Sequence, residues 1–191
     1  MRLVDSFPSS YVVDVNPDWP APGEEVISLP AYDKLKMHTD EFSEIRFYPG
    51  GSSSWVGRFE RGQRKGFEDC FLTAPNPSQA CVISSGAGYW VDVEQRRAIN
   101  IECLPIVQAV VSAKHSLVLI ATWSDLYAYS SSDLLWSLCH IANDDLRIEK
   151  IEEDTLTAVG SVMGGPTAMR VNLLTGQLFE ESHPCENQGH P

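Results

Sequence analysis

The sequence predicts an all-β protein made of antiparallel four-stranded meander repeats, and two observations support this fold class. From about residue 42 onward, short apolar runs alternate with turn residues, which is the pattern of strands and hairpins. Groups of four such runs begin near residues 70, 106 and 147. A fixed period of this size indicates a repeat built from one supersecondary unit.

Residues 1–42 predict a proline-rich N-terminal arm packed on the core. Prolines at this density break helices and exclude central strands, and they are Pro8, Pro17, Pro20, Pro22 and Pro30. We expect one short strand at 10–15 and, at 32–42, either a turn or single helical turn or a helix. Residues 43–180 then form a single all-β repeat domain, and residues 181–191 a flexible tail, because they lack apolar periodicity.

The strands of this domain are placed by its turn residues. Phe47 and the run 55–59 flank a loop rich in glycine and serine. The first repeat unit has strands expected at 70–74, 80–84, 89–93 and 98–102. The second unit has them at 106–113, 117–122, 126–130 and 134–140, and the third at 147–152, 155–162, 168–173 and 177–180.

The first hairpin of the repeat makes a specific prediction about two cysteines. With its turn centred on Pro77, Leu72 faces Val82 and Cys70 faces Ser84. Cys81 then lies on the opposite face of the sheet from Cys70, so we expect no disulfide between them. The odd number of cysteines and the lack of a C-x-x-C pair also favour free thiols.

The turn that closes the third unit carries a resemblance to a known family. The segment Asn172-Leu173-Leu174-Thr175-Gly176 is similar to the Asp-x-x-Thr-Gly turn between the third and fourth strands of quinoprotein-like and WD-repeat β-propeller blades. The resemblance covers about residues 70–180 and implies a small or incomplete β-propeller. Ordinary propellers have about four to eight blades, whereas this chain has three clear units, so the N-terminal hairpin and the proline-rich arm would have to complete an irregular fourth blade. A β-sandwich or open barrel is the alternative, and a homodimer could cover free sheet edges.

Composition and net charge exclude some classes of binding partner. The net charge of −12 would repel phosphate backbones and anionic membranes, so neither nucleic acid nor a membrane is expected as a partner. The N-terminus lacks a long apolar run, and the most apolar stretch, 106–121, is too interrupted to span a bilayer. We therefore expect a cytoplasmic protein with a protein partner.

The sequence offers few signs of catalysis. It has no Gly-x-Ser-x-Gly, His-Glu-x-x-His, phosphate-loop or dinucleotide motif, and no cysteine–histidine spacing of the zinc type, so we expect no catalytic residue, cofactor or metal. The enzymatic alternative is a small hydrolase that combines His115 with a loop carboxylate. The candidate carboxylates are Asp92, Asp125 and Asp144.

Two groups of side chains are candidates for a binding interface. The local concentration of positive charge consists of Arg58, Arg61, Arg64 and Lys65, which could recognise an anionic group. Loop tryptophans are costly unless they are packed or used for contact, and those expected in or beside loops are Trp19, Trp55 and Trp123. Trp90 and Trp136 fall inside strands and are expected in the core.

Together these observations predict a non-catalytic macromolecular-interaction domain. Rigid sheets would hold the loops that recognise the partner. A compact acidic chain also suits an immunity or inhibitor-type binder, in which negative charge masks a basic target. The alternatives are the small hydrolase and a structural assembly subunit, the latter requiring an apolar interface well above roughly 1,000 Å².

Overall fold

The computed structural model describes residues 1–31, 41–62, 67–163 and 165–179, and these form strands, turns and one 3-10 turn at Ala113–His115. The strands are β1 (Arg2–Val4), β2 (Tyr11–Asp14), β3 (Glu25–Leu29), β4 (Phe42–Pro49), β5 (Trp55–Glu60), β6 (Cys70–Thr73), β7 (Gln79–Ser84), β8 (Ala87–Asp92), β9 (Arg97–Ile101), β10 (Gln108–Ser112), β11 (Leu117–Ala121), β12 (Leu126–Ser130), β13 (Asp133–Leu138), β14 (Asp144–Glu152), β15 (Thr155–Val162) and β16 (Gly165–Asn172). No helix in the described part of the chain has the length and apolar character needed to cross a membrane.

The strands form four separate sheets. Sheet I has the order β2-β4-β5-β3, sheet II β1-β6-β7-β8-β9, sheet III β10-β11-β12-β13 and sheet IV β14-β15-β16. Neighbouring strands are antiparallel except in the pairs β1–β6 and β3–β5, which are parallel. The predicted all-β class is therefore confirmed, and none of the four sheets closes on itself.

The sheets stack face to face in chain order, and each neighbouring pair shares one apolar cluster. The cluster between sheets I and II is rich in aromatic residues, including Phe47, Trp55 and Tyr89. Three cysteines lie in the cluster between sheets II and III. Leucine, alanine and valine fill most of the cluster between sheets III and IV. None of the three clusters, as far as the described residues go, joins sheet IV to sheet I, and the β-propeller resemblance remains a prediction.

In β11 of sheet III, apolar residues do not alternate with polar ones, and the position of the strand explains this. Every residue of β11 is buried. Val118 and Ile120 point into the cluster shared with sheet II, whereas Leu117 and Leu119 point into the cluster shared with sheet IV. A strand covered on both faces reads as a continuous apolar run. By contrast, in β15 only alternate residues are buried, because its other face is not packed against another sheet in the described residues.

The strand predictions from residue 70 onward agree with the structure. Each predicted strand from 70 to 173 overlaps an observed one, and the last run is represented by a single bridge between Val171 and Leu178. The first 31 residues contribute three strands, not the single short strand expected there. β1 joins sheet II, and β2 and β3 join sheet I. The turn expected at 32–42 lies mostly outside the described residues, and the tail 181–191 lies wholly outside them.

The predicted register of the first hairpin is wrong by one residue. Cys70 pairs with Ile83, and Leu72 pairs with Cys81. Cys70 and Cys81 therefore lie on the same face, in the cluster between sheets II and III, and both are free thiols. The turn begins at Asn76, whose side chain accepts a hydrogen bond from the Ser78 backbone N–H (3.1 Å). This Asx-turn moves the centre of the hairpin half a residue before Pro77.

Candidate binding surface at the crossover end

The two ends of the sheet stack differ in how the chain turns. The crossover end is the end at which residues 61–62 and 67–69, 102–107, and 139–143 lie between one sheet and the next, and the β7–β8 and β11–β12 turns also lie there. At the opposite end, called the hairpin end, the chain turns within sheets, as in the β6–β7 and β10–β11 turns, and residues 5–10 lead from β1 of sheet II to β2 of sheet I. Loops carried on rigid sheets are where recognition usually occurs, and both ends carry such loops.

An aromatic groove of about 510 Å³ opens at the crossover end. The rings of Phe67 and Trp123 lie 5.7 Å apart at 48°, and Trp123 is 49% exposed. The groove is lined by Phe67, Val107, Gln108, Trp123, Asp145, Leu146 and Arg147. The lining residues come from three sheets. Phe67 precedes β6 of sheet II, Val107 and Gln108 lie at the start of β10 of sheet III, and 145–147 lie at the start of β14 of sheet IV. Trp123 lies in the β11–β12 turn of sheet III.

Trp123 is held by a turn whose polar groups are satisfied. The Thr122 N–H donates to the Asp125 carbonyl (2.9 Å), and the Asp125 carboxylate accepts hydrogen bonds from the His140 N–H (2.7 Å) and the Ser124 hydroxyl (3.0 Å). Burial acts to raise the pKa of Asp125, but these hydrogen bonds outweigh it and lower the pKa below its usual value. Asp125 therefore stays ionised and fixes the turn that presents the indole.

The rest of the groove is fixed by contacts between sheets. The Trp123 carbonyl accepts a hydrogen bond from the Leu146 N–H (3.1 Å), which ties sheet III to the start of β14. The Gln108 amide both donates to the Ile148 carbonyl (3.0 Å) and accepts from its N–H (2.7 Å). On the other side, Gly86 adopts φ +85°, and a Cβ there would lie 3.1 Å from the Cβ of Phe67. The glycine thus leaves room for the Phe67 ring.

A second, polar cavity of about 410 Å³ lies at the same end, and Ser43, Glu44, Arg61 and Asp69 are among the residues that line it. The Arg61 Nε–H donates to the Ser85 hydroxyl (2.8 Å), and its guanidinium lies 3.9 Å from Asp69. Opposite charges thus face each other across this cavity. Among the described residues that line this cavity, Phe42 is the only aromatic one, and it is partly buried. The cavity therefore differs from the aromatic groove, which has an exposed tryptophan.

The predicted basic group is only partly described. Arg58 makes an ion pair with Glu44 (3.0 Å) and its guanidinium carbon lies 4.5 Å from the centre of the Phe42 ring. Arg61 is held as above, next to the polar cavity. Arg64 and Lys65 lie outside the described residues. The two described arginines are thus engaged within the chain, and they do not form an open patch of positive charge.

The three predicted interface tryptophans have different environments. Trp55 begins β5, is fully buried, stacks on Phe47 at 4.5 Å and donates its indole N–H to the Val93 carbonyl (3.1 Å). The run predicted at 55–59 begins at the same residue as β5, but the Trp55 side chain points into the cluster between sheets I and II and is therefore not accessible. Trp19 is 93% exposed, and its carbonyl accepts a hydrogen bond from Arg46. Trp90 and Trp136 are buried, as predicted.

The histidine considered for catalysis has other partners than those expected. His115 Nδ1 lies 2.7 Å from the Ser112 hydroxyl and Nε2 lies 2.8 Å from Asp154. The carboxylates of Asp92, Asp125 and Asp144 instead accept hydrogen bonds from the backbone of nearby turns. Sequence reasoning missed Asp154, which comes from the next sheet and has no local signal that connects it to His115.

This serine, histidine and aspartate set is not arranged like a hydrolytic triad. Ser112 is only 6% exposed, whereas Asp154 is largely exposed to solvent. A nucleophilic serine must reach its substrate, and the aspartate that orients the histidine is normally the buried member. The geometry instead joins the β10–β11 turn of sheet III to the β14–β15 turn of sheet IV. It acts as a polar contact between sheets.

The fold and these surfaces define an all-β protein of stacked antiparallel sheets with an open groove at one end. No protein-family model matches the sequence, and no curated protein does so either. Among solved structures, the chain is similar to one described as a crystal structure of the eukaryotic initiation factor, with 10% sequence identity and a TM-score of 0.43. The match covers 72% of this chain and spans 37% of the length of the other. A likeness this weak carries no argument about function.

Proposed function

We propose that this protein is a non-catalytic interaction module that binds a protein partner through the aromatic groove at the crossover end. The observation that carries the proposal is Trp123, which is half exposed yet packed against Phe67 at 5.7 Å and held by a turn that several hydrogen bonds stabilise. An ordered aromatic ring that stays open to solvent loses little conformational entropy when a partner covers it. Tryptophan is also among the residues that contribute most to interface energies.

The groove also has features that would orient a partner. Val107 and Leu146 offer apolar walls, and Asp145 and Arg147 place opposite charges beside them. A segment with an apolar side chain between a basic and an acidic residue would match this pattern. The preference for a protein partner over a small molecule follows from the lining of the groove, which comes from elements of three sheets.

Net charge favours a basic partner. The chain carries −12, so long-range attraction would speed association with a positively charged surface. An immunity or inhibitor-type role, in which an acidic protein masks a basic target, agrees with this charge. Such attraction weakens when salt shortens the Debye length from about 30 Å at 0.01 M to about 8 Å at physiological ionic strength.

The test compares the two exposed tryptophans. Immobilised wild-type protein, Trp123→Ala and Trp19→Ala are used to capture proteins from an extract of the host cell, and affinities are then measured with the purified partner. We expect Trp123→Ala to weaken binding by about thirtyfold or more, as a loss of about 2 kcal/mol at a hot spot would do, and Trp19→Ala to bind like wild type. Equal binding by Trp123→Ala and wild type would contradict the proposal.

Oligomeric state separates this proposal from assembly through sheet edges. If a second copy of the chain is the partner, light scattering of the purified protein will show a dimer at micromolar concentration without any added protein. A monomer that binds a different protein in the capture experiment agrees with the interaction module. The edge strands that could pair in this way are β2 and β3 of sheet I, β1 and β9 of sheet II, β10 and β13 of sheet III, and β14 and β16 of sheet IV.

A further inference from the structure

We propose that a cavity between sheets II and III, at the hairpin end, binds a small zwitterionic amino-carboxylate of the α-amino acid type. The cavity has a volume of about 300 Å³ and is lined by Gln79, Trp90, Asp92, Arg97, Ile99 and Ser132, among others. Its volume is at the lower end of the range for small-molecule sites. It is separate from the aromatic groove, which lies at the opposite end of the sheets.

Strand register brings the polar residues of the cavity into one row. Gln79 of β7 pairs with Asp92 of β8, and Asp92 pairs with Arg97 of β9. Side chains that face each other across neighbouring strands have Cβ atoms about 5 Å apart. In the next row, Trp90 pairs with Ile99 on the same face. An amide, a carboxylate and a guanidinium thus lie side by side above an indole.

Two buried polar atoms of this cavity have no hydrogen-bond partner among the described residues. They are the indole Nε1 of Trp90 and the amide Oε1 of Gln79. Trp90 is only 3% exposed. A buried donor or acceptor that is left unsatisfied costs about 1–3 kcal/mol, so a donor and an acceptor that are both unpaired in one cavity point to a polar occupant.

The other buried tryptophans, unlike Trp90, have hydrogen-bonded indole N–H groups. The indole N–H of Trp55 donates to the Val93 carbonyl at 3.1 Å, and that of Trp136 donates to the Leu173 carbonyl at 2.7 Å. Each of these bonds links two neighbouring sheets. Trp90 also lies between two sheets, with its ring 5.5 Å from that of Tyr129, but its N–H has no such acceptor in the described part of the chain.

The charges around the cavity define the ligand chemistry. Arg97 is exposed and makes no ion pair within the described residues, so its guanidinium can take a carboxylate in bidentate fashion. The Trp90 N–H needs an acceptor, which the same carboxylate provides. Asp92 uses one oxygen to accept the Gln95 N–H (2.9 Å). Its carboxylate and the Gln79 amide oxygen can together accept an ammonium group.

In an α-amino acid the carboxylate and the ammonium group are both attached to the same carbon atom, so one small molecule supplies both. The two unpaired atoms are shielded from water, so a wall side chain must move when the ligand enters. Ile99, which is 58% exposed and lies opposite Trp90, is the side chain placed to do so. The apolar surface of Trp90 and Ile99 would then contact the aliphatic part of the ligand.

The experiment measures binding of the common free amino acids to the full chain by thermal shift and calorimetry. We expect at least one to bind with a Kd at or below about 1 mM, equivalent to about 4 kcal/mol. The matching amine without the carboxylate and the matching hydroxy acid without the ammonium should each bind at least tenfold more weakly. If no amino acid binds at about 10 mM, the cavity holds water only and the proposal is overturned.

Two variants locate the ligand. Arg97→Gln should weaken binding at least tenfold without lowering the melting temperature, because Arg97 is exposed and makes no ion pair in the described residues. Gln79→Leu removes an unpaired acceptor, so it should abolish ligand binding while leaving the free protein at least as stable as wild type. Arg147→Gln, in the aromatic groove, is the matched control and should bind the amino acid normally. Unchanged affinity in both cavity variants would also overturn the proposal.

Discussion

The two ends of the sheet stack use their polar groups differently. At the hairpin end, hydrogen bonds join each sheet to the next. Arg96 donates to the Ser53 carbonyl (3.0 Å), the Asn76 N–H donates to the Ser131 hydroxyl (2.7 Å), and His115 contacts Asp154 (2.8 Å). These contacts link sheets I and II, II and III, and III and IV in turn. These bonds help to fix the relative positions of the sheets, as the bond between Leu146 and Trp123 also does at the crossover end.

The crossover end is more open. It holds the polar cavity and the aromatic groove, with volumes of about 410 and 510 Å³, and a half-exposed tryptophan. Hydrogen bonds between sheets at one end can therefore stabilise the stack, while the other end presents apolar surface to a partner. If this division is correct, substitutions of the residues that make these hairpin-end contacts between sheets should lower stability, and substitutions in the groove should lower binding alone.

The largest loss of stability is expected at the contact of Trp55 with sheet II. Trp55→Ala removes a fully buried indole, its stacking on Phe47 and its hydrogen bond to Val93. Substitutions of this kind cost about 3–5 kcal/mol, which urea unfolding would measure. Trp19→Ala, at a highly exposed tryptophan, should change the free energy of unfolding by less than about 0.5 kcal/mol. A small effect at Trp55 would show that sheet I is not held as described.

A smaller loss is expected at Gly176, which packs against the indole of Trp136. Gly176 has φ +71°, and a Cβ there would lie 2.8 Å from the indole. Gly176→Ala should therefore combine backbone strain of about 1 kcal/mol with a shift of Trp136. Gly23→Ala is the matched control, because Gly23 has φ +84° but nothing within 4 Å of its added Cβ.

Unfolding in urea would separate the two contributions. Gly23→Ala should show the strain alone, and Gly176→Ala should lose about 1–2 kcal/mol more, as overpacking does. Equal losses in the two variants would mean that Trp136 adjusts freely, so that its hydrogen bond to Leu173 contributes little to the contact between sheets III and IV.

The smallest effect is expected from Asp154, which is exposed. Hydrogen bonds from His115 and Lys114 lower the pKa of Asp154 below its ordinary value of 3.8. The folded state keeps the carboxylate ionised to lower pH than the unfolded state does. The contribution of this carboxylate to folding stability is therefore present above its pKa in the unfolded state and is lost as the pH falls through its pKa in the folded state. Asp154→Asn should therefore melt below wild type at pH 7, and the difference should disappear in strong acid.

Asp133→Asn is the control for this pH series, since Asp133 is also exposed and lies at the start of β13. Its melting temperature should follow that of wild type throughout. A difference between wild type and Asp154→Asn that persists unchanged at pH 2 would contradict the role given to the ionised carboxylate.

Local patterns in the sequence were sufficient to predict most strands of sheets II to IV. Hairpin strands are close in sequence and their turn residues mark both ends, as the run 126–130 shows, which coincides with β12. The parallel strands could not be found in this way. Arg2 pairs with Cys70, and Glu25 pairs with Trp55, and such distant pairing leaves no periodic signal in a proline-rich segment.

The candidate sites were predicted less well, for a similar reason. Trp123 was selected because it lies in a turn, but its partner Phe67 comes from another sheet. Trp55 also seemed to follow a loop, yet pairing with Phe47 in the neighbouring strand places it in the core. The unpaired atoms of Trp90 and Gln79 have no sequence signal at all, because only the packed structure shows which acceptors are out of reach.

Hydrogen exchange of the protein with and without its captured partner tests the central claim most directly. The account predicts that the partner slows exchange at the crossover end, in residues 121–125 and at Leu146, whose N–H donates to the Trp123 carbonyl. Exchange in the hairpin-end turns at 93–96 and 131–132 should stay unchanged. Protection confined to those hairpin-end turns, with none around Trp123, would contradict it.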